Sequence, residues 1–124
     1  MNYTIGDFLI RLKNASLAGS KTCEVPSTKF IKEVAKTLVG EGFLDAIEEV
    51  DKKLIMQIAY RKKEPLITNI RLISRPGLRV YMDVGEIEDK KGPSILIVST
   101  SKGVVTSRQA VKKRLGGEII AEIL

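Results

Sequence analysis

One stretch of the chain invites a chemical question: "VSTSKGVVTSRQAVKKRLGGE", residues 98–118, with five hydroxyl side chains, five positive charges and no acid before Glu118. Within it Ser99-Thr100-Ser101-Lys102 spells S-x-x-K, the arrangement in which a lysine one helical turn on activates a serine nucleophile. That chemistry needs the serine at the start of a helix. Here the preceding "SILIV" has the pattern of a strand, and Lys102-Gly103 turns the chain at once. The companion motifs S-D-N and K-T-G are missing. Histidine is absent and Cys23 is the lone cysteine, so no Ser-His or Cys-His dyad exists, nor the usual nitrogen and sulfur ligands for zinc or iron. The expectation is a protein that is not an enzyme and uses no metal or cofactor.

The same atoms suit a binding surface. Serine and threonine hydroxyls donate and accept without repelling a polyanion, so they can bond 2′-hydroxyls, phosphates and base edges. Gly103 allows close backbone approach. Thr106 starts a short helix, "SRQAVKKRL", whose amide end offers a phosphate site, and Arg108, Lys112, Lys113 and Arg114 supply charge along it. Ser99 and Ser101 also fit plain strand-end and turn roles, and Thr106 a plain helix cap. The cluster as a whole, basic and free of acid, points to nucleic acid.

The elements that must position these residues can be read from periodicity. Residues 4–17 form a helix with Ile5, Phe8, Leu9 and Leu12 on one stripe, and Thr4 with Asp7 is spaced as a capping box. "KTCEV" is a short strand before Pro26. A second helix opens at Ser27 or Thr28, buries Ile31, Val34, Ala35 and Leu38, and stops at Gly40 and Gly42. Lys29, Lys32 and Lys36 share its outer face. "FLDAIEEV" and "KLIMQIAY" flank a turn as hairpin arms. "RKKEP" reads as a linker dividing domains 1–63 and 64–124, with Arg61, Lys62 and Lys63 either solvated or touching RNA backbone. Beyond it come a strand over "ITNIRLIS", a tight turn at Arg75-Pro76-Gly77, and "LRVYM", which puts Arg79 and Tyr81 on one face. "DVGEIEDKKGPS" reads as a polar loop, "ILIV" as a strand buried on both sides, and "EIIAEIL" as the last strand. The expected fold class is α+β (α/β mixed): two small, tightly packed domains with helices against short, mostly antiparallel sheets.

Lys and Arg number 21 against 15 acids, giving a net charge of +6 and a pI near 9.5. That balance attracts nucleic acid or an anionic membrane. The basic helix offers a membrane only Ala110, Val111 and Leu115 as anchors, so no membrane partner is expected. Residues 41–51 hold five acids and no base, so one surface should be negative and another positive. The N-terminus lacks the pattern of a signal peptide, and a single buried thiol suits a reducing compartment, which places the chain in the cytoplasm.

"IVSTSKGVVTSRQAVKKRLGGEII", "SRPGLRVY", "DFLIRLKNAS", "CEVPSTK" and "EVAKTLVGEGF" together resemble the bacterial form of the universal small-subunit ribosomal protein eight family, over nearly the whole chain. The resemblance implies a primary binder of small-subunit ribosomal RNA, docked on an irregular stem of the central domain and aiding platform assembly on the ribosome beside other small-subunit proteins. Some family members also bind their own messenger RNA. A free double-stranded RNA binding regulator is the alternative. Carried over by position, Ser99, Thr100, Ser101, Lys102 and Gly103 form the contacting loop, with Gly116, Gly117 and Glu118 its neighbour and Tyr81 beside the RNA. Arg11, Lys13 and Asn14 match a helix adding backbone contacts, and Pro26, Ser27 and Lys29 the adjoining turn. Glu118 either accepts from base amines and 2′-hydroxyls or holds the serine loop in shape. Two features depart from the family pattern: Glu122 replaces an aromatic near the C-terminus, and the loop before "ILIV" is shorter and carries four acids.

Overall fold

Leu54, Met56 and Ile58 alternate with Lys53, Ile55 and Gln57, and a period of two buries one face of a strand. In the computed structural model, which describes residues 5–90 and 92–124, this strand, β3 (Lys53–Ile58), is the centre of an antiparallel sheet between β1 (Thr22–Pro26) and β2 (Leu44–Val50). Helix α1 (Ile5–Leu17) lies against β1, and α2 (Lys29–Gly40) against β2. Phe8, Leu9 and Leu12 from α1 and Ile31, Val34, Ala35 and Leu38 from α2 are all buried. Thr28 caps α2, its hydroxyl accepting from the Ile31 N–H at 3.1 Å. The capping box expected at Thr4 and Asp7 falls on Thr4, outside the described residues.

The basic stretch expected to be a linker is folded. Tyr60–Arg61 (β4) pairs with Glu64–Pro65 (β5) in a hairpin turning through Lys62 and Lys63. Ala59 and Ile67 at its base are buried, and Ile67 also accepts from the Ser16 hydroxyl through its carbonyl at 3.1 Å. A proline at a strand end and a run of charge masked two short paired strands. The first compact unit reaches Asn69, and the second is Ile70–Leu124.

The second unit is an antiparallel sheet around β10 (Gly117–Ile123). One edge of β10 pairs with β8 (Ile95–Thr100), which pairs in turn with β9 (Gly103–Thr106). Its other edge pairs with β6 (Ile70–Leu72) and β7 (Tyr81–Met82). Both strands are shorter than the sequence suggests because the chain between them closes on itself: the Ser74 hydroxyl accepts from the Val80 N–H and donates to its carbonyl, while Arg75 and Leu78 bridge. Pro76 and Gly77, the latter at φ 83°, form the tip. Helices α3 (Val84–Asp89) and α4 (Ser107–Lys113) cover one face, joining Ile87 and Ala110 to Leu96, Val98, Val105 and Ile119 in a core. As expected, Ile95, Leu96, Ile97 and Val98 are all buried.

α3 corrects the polar-loop expectation for residues 83–89. Asp83 accepts from the Glu86 N–H at 2.8 Å while the Glu86 carboxylate accepts from the Asp83 N–H at 3.1 Å, a reciprocal capping box. The acids that suggest a loop are the ones that start the helix. Antiparallel sheets and helices in each unit make the fold α+β, as expected from the sequence.

Candidate nucleic-acid interface

β10 sets Glu118 directly opposite Ser99 of β8 and, on its other edge, opposite Tyr81 of β7. Paired residues of antiparallel strands project to the same side, so Tyr81, Glu118 and Ser99 form a row across the sheet. Their neighbours Met82, Ile119 and Val98 point the other way, into the core. The row lies at one end of the face opposite α3 and α4, where Tyr81 is exposed and Glu118 and Ser99 half-buried, while Ile97, Ala121 and Ile123 further along that face are buried. Tyr81 is 66% exposed, leaving a flat aromatic ring available for stacking. Arg79 donates to a Glu118 oxygen at 3.2 Å, which sets an acceptor beside a guanidinium on a surface otherwise fit for an anion. Arg79 is absent from the residues expected on the site, although the alternation of "LRVYM" already put it on the Tyr81 face.

The row runs into the β8–β9 turn. Thr100 pairs with Gly103, leaving Ser101 and Lys102 exposed at the tip. The Thr100 hydroxyl donates to the Gly103 carbonyl at 2.7 Å and accepts from the Lys102 N–H at 3.1 Å, so it holds the turn rather than facing outward. Gly103, at φ 110°, closes it in a conformation that an L side chain resists. Gly116 and Gly117 serve strand closure. A Cβ on Gly117 would lie 2.2 Å from the Ser99 carbonyl oxygen, and one on Gly116 2.7 Å from that of Met82.

Two expected contacts do not survive the topology. Thr106 is fully buried, its hydroxyl accepting from the Gln109 N–H at 3.3 Å while Gln109 accepts from the Thr106 N–H. It pairs with Ile97, three residues down β9 from Gly103 and so about 10 Å from the tip. The amide end of α4 therefore faces away from the serine loop, with the Gln109 N–H already bonded to Thr106. The other end of α4 leads through Gly116 to β10 and brings exposed Lys112 and Lys113 to the tip end of the sheet, on the helical face. Arg114, left-handed at φ 57°, closes the helix and donates to Glu88 at 3.2 Å.

The family model described as Ribosomal protein S8 matches residues 3–124. The chain belongs to the ribosomal protein S8 family. It is 42% identical to the small ribosomal subunit protein uS8c of Guillardia theta, covering 98% of each chain. It is 41% identical to uS8 of Nostoc punctiforme, over 98% of this chain and 97% of that one. It is 43% identical to uS8 of Caldanaerobacter subterraneus, over 99% and 98%. Membership makes this a ribosomal protein rather than an enzyme.

In the first unit of this S8-family chain, Arg11 of α1 and Pro26 at the end of β1 line one cleft of about 560 Å³, together with Glu24, Asp51, Lys52 and Lys53. Lys52 belongs to that group unforeseen, because only the folded β2–β3 turn brings it there. Asn14, a turn on from Arg11, is exposed, as is Lys29 at the start of α2, whereas Lys13 is half-buried. The Ser27 hydroxyl oxygen is buried, with no hydrogen-bond partner among the described residues. Glu49 is held below the usual carboxylate range chiefly by the Lys32 ammonium, which donates to it at 2.8 Å. Cys23 is buried, which pushes its thiol pKa up.

Glu122, the departure from the family pattern, has a structural task. The Ser94 hydroxyl donates to it at 2.6 Å and Arg71 at 2.8 Å, with the Lys90 ammonium at 3.5 Å. The side chain is 12% exposed. Its pKa is lowered, chiefly by the Ser94 hydrogen bond, with Lys90 and Arg71 adding to the effect. The residue ties β10 to β6 and to the segment before β8.

Proposed function

We propose that this S8-family protein is a structural component of the small ribosomal subunit and binds the subunit's RNA directly. It docks the Tyr81–Glu118–Ser99 row and the Ser101-Lys102 tip on an irregular stem of the central domain. Seated there, it would help assemble the platform beside neighbouring small-subunit proteins, on the ribosome in the cytoplasm. The observation that carries this reading is the row Tyr81, Glu118 and Ser99 at the accessible end of the sheet, continuous with an exposed hydroxyl and ammonium at the tip. Such a surface combines a stacking ring, an acceptor and short donors, the groups that read splayed bases and 2′-hydroxyls. Arg79 offsets the Glu118 charge, so the acid does not repel phosphate. Lys112, Lys113, Lys102 and the N-terminal unit's Arg11, Asn14 and Lys29 add sequence-independent attraction.

The test is binding of the purified full chain to an isolated central-domain stem, with scrambled duplex as competitor, across a salt series. The stem should outcompete the duplex, and log affinity should fall with log salt by about 0.7 to 0.9 per phosphate contacted. Equal competition by the duplex would mean a general duplex binder, and a flat salt response would remove the RNA reading.

A further inference from the structure

Arg61, Lys62 and Lys63 stand together on the β4–β5 hairpin of the first unit, all exposed, with no ion pair or side-chain hydrogen bond among the described residues. The chain turns through Lys62 at φ 53° and Lys63 at φ 67°, both left-handed. Two consecutive left-handed residues make the tight hairpin turn that favours Asn-Gly, because the Cβ of other residues crowds the following carbonyl. A turn chosen for stability alone would not put lysine at both positions. The β2–β3 turn also sets two non-glycine residues left-handed, Asp51 and Lys52. One of those is an aspartate, a type that tolerates the conformation, and the pair is neutral. The β4–β5 tip instead carries charge at both positions, with Arg61 beside them and Glu64 as the hairpin's one acid.

The base of this hairpin is fixed. Tyr60 donates its hydroxyl to the Ser20 carbonyl, Ile67 accepts from Ser16, and Ala59 and Ile67 are buried on either side. The cations thus project from an ordered support, so less backbone freedom is lost when they meet a ligand. The tip offers no exposed aromatic or aliphatic side chain to anchor a protein partner, which leaves charge as its means of recognition.

We infer that the β4–β5 hairpin is a contact of the first unit with RNA phosphates, sequence-independent and separate from the Tyr81–Glu118–Ser99 surface. This rests on the RNA-binding reading above. The informative variant is K62N/K63G in the full chain, which installs the favoured turn while removing both charges. Its thermal midpoint should equal or exceed that of the wild type. Against central-domain RNA the slope of log affinity on log salt should drop by about 1.4 to 1.8, two contacts' worth, so affinity at 0.1 M salt falls about 25- to 60-fold. Preference for that RNA over scrambled duplex should be unchanged, because phosphate contacts carry no sequence information. R61Q, which leaves the turn intact, should remove about half as much slope and guards against a folding defect in the double variant. A steep wild-type slope that neither variant changes would overturn the hairpin contact and leave the proposed function standing. If the variants then fail to enter the small subunit, the lysines belong to an acidic protein neighbour instead. A flat wild-type slope would remove both proposals.

Discussion

A methyl group on Gly117 would sit 2.2 Å from the Ser99 carbonyl oxygen, where neither backbone can yield without breaking the β8–β10 ladder. Gly117→Ala should therefore cost about 3 kcal/mol or more in denaturant unfolding, at the upper end of overpacking effects. Wild-type stability would show that the strands separate easily. The resemblance placed Gly116 and Gly117 at the RNA, and spacing alone could not reveal that their absent side chains let three strands meet beneath the Tyr81–Glu118–Ser99 row. A similar division separates the hydroxyls of the loop. Thr100 holds the turn through two hydrogen bonds, so Thr100→Val should lower stability by about 1 to 2 kcal/mol. Ser101 is exposed and makes no such bond among the described residues, so Ser101→Ala should leave stability unchanged while weakening stem binding by about 1 to 3 kcal/mol. Unchanged affinity would return Ser101 to a plain turn residue.

At the scale of elements, periodicity made α1, α2, β1 and β3 legible, because each buries a regular stripe of apolar side chains. What escaped was short or polar. α3 buries only Ile87 and is announced by Asp83 and Glu86, whose capping arrangement looks like loop composition when periodicity is the guide. β4 and β5 have two residues each, too few for an alternation to show. The site row was half legible: "LRVYM" put Arg79 and Tyr81 on a common face, but the register that sets Glu118 between Tyr81 and Ser99 comes from pairings distant in sequence. Glu122 belongs here too, since it joins three segments. Its folded pKa is lowered, so the clasp contributes fully above the unfolded carboxyl pKa of about 4.3 and is lost as pH falls through the lower folded value. Glu122→Gln should weaken the second unit near neutral pH and flatten the acid limb of its stability profile below about pH 4.5. An unaltered limb would assign acid sensitivity to other carboxylates.

For the molecule as a whole, a net charge of +6 favours any polyanion, so affinity alone cannot distinguish a specific binder from a sticky one. Salt dependence separates the two contributions because released counterions report phosphate contacts only. Lys112 and Lys113 are exposed in the last turn of α4, where they also complement the negative end of the helix dipole. Replacing both with glutamine should lower the salt slope by up to about 1.8, weaken stem and scrambled duplex alike, and let the variant and wild-type lines converge at high salt. Ser101→Ala should instead give a line parallel to the wild type, displaced at every salt concentration and only for the stem. Parallel displacement by the lysine variant would mean that these residues touch bases rather than phosphates, and would extend the specific surface around the end of the sheet onto its helical side. Convergence by the serine variant would mean that the hydroxyl acts through the backbone charge of the RNA, and the row of Tyr81, Glu118 and Ser99 would then have to account for specificity without the loop.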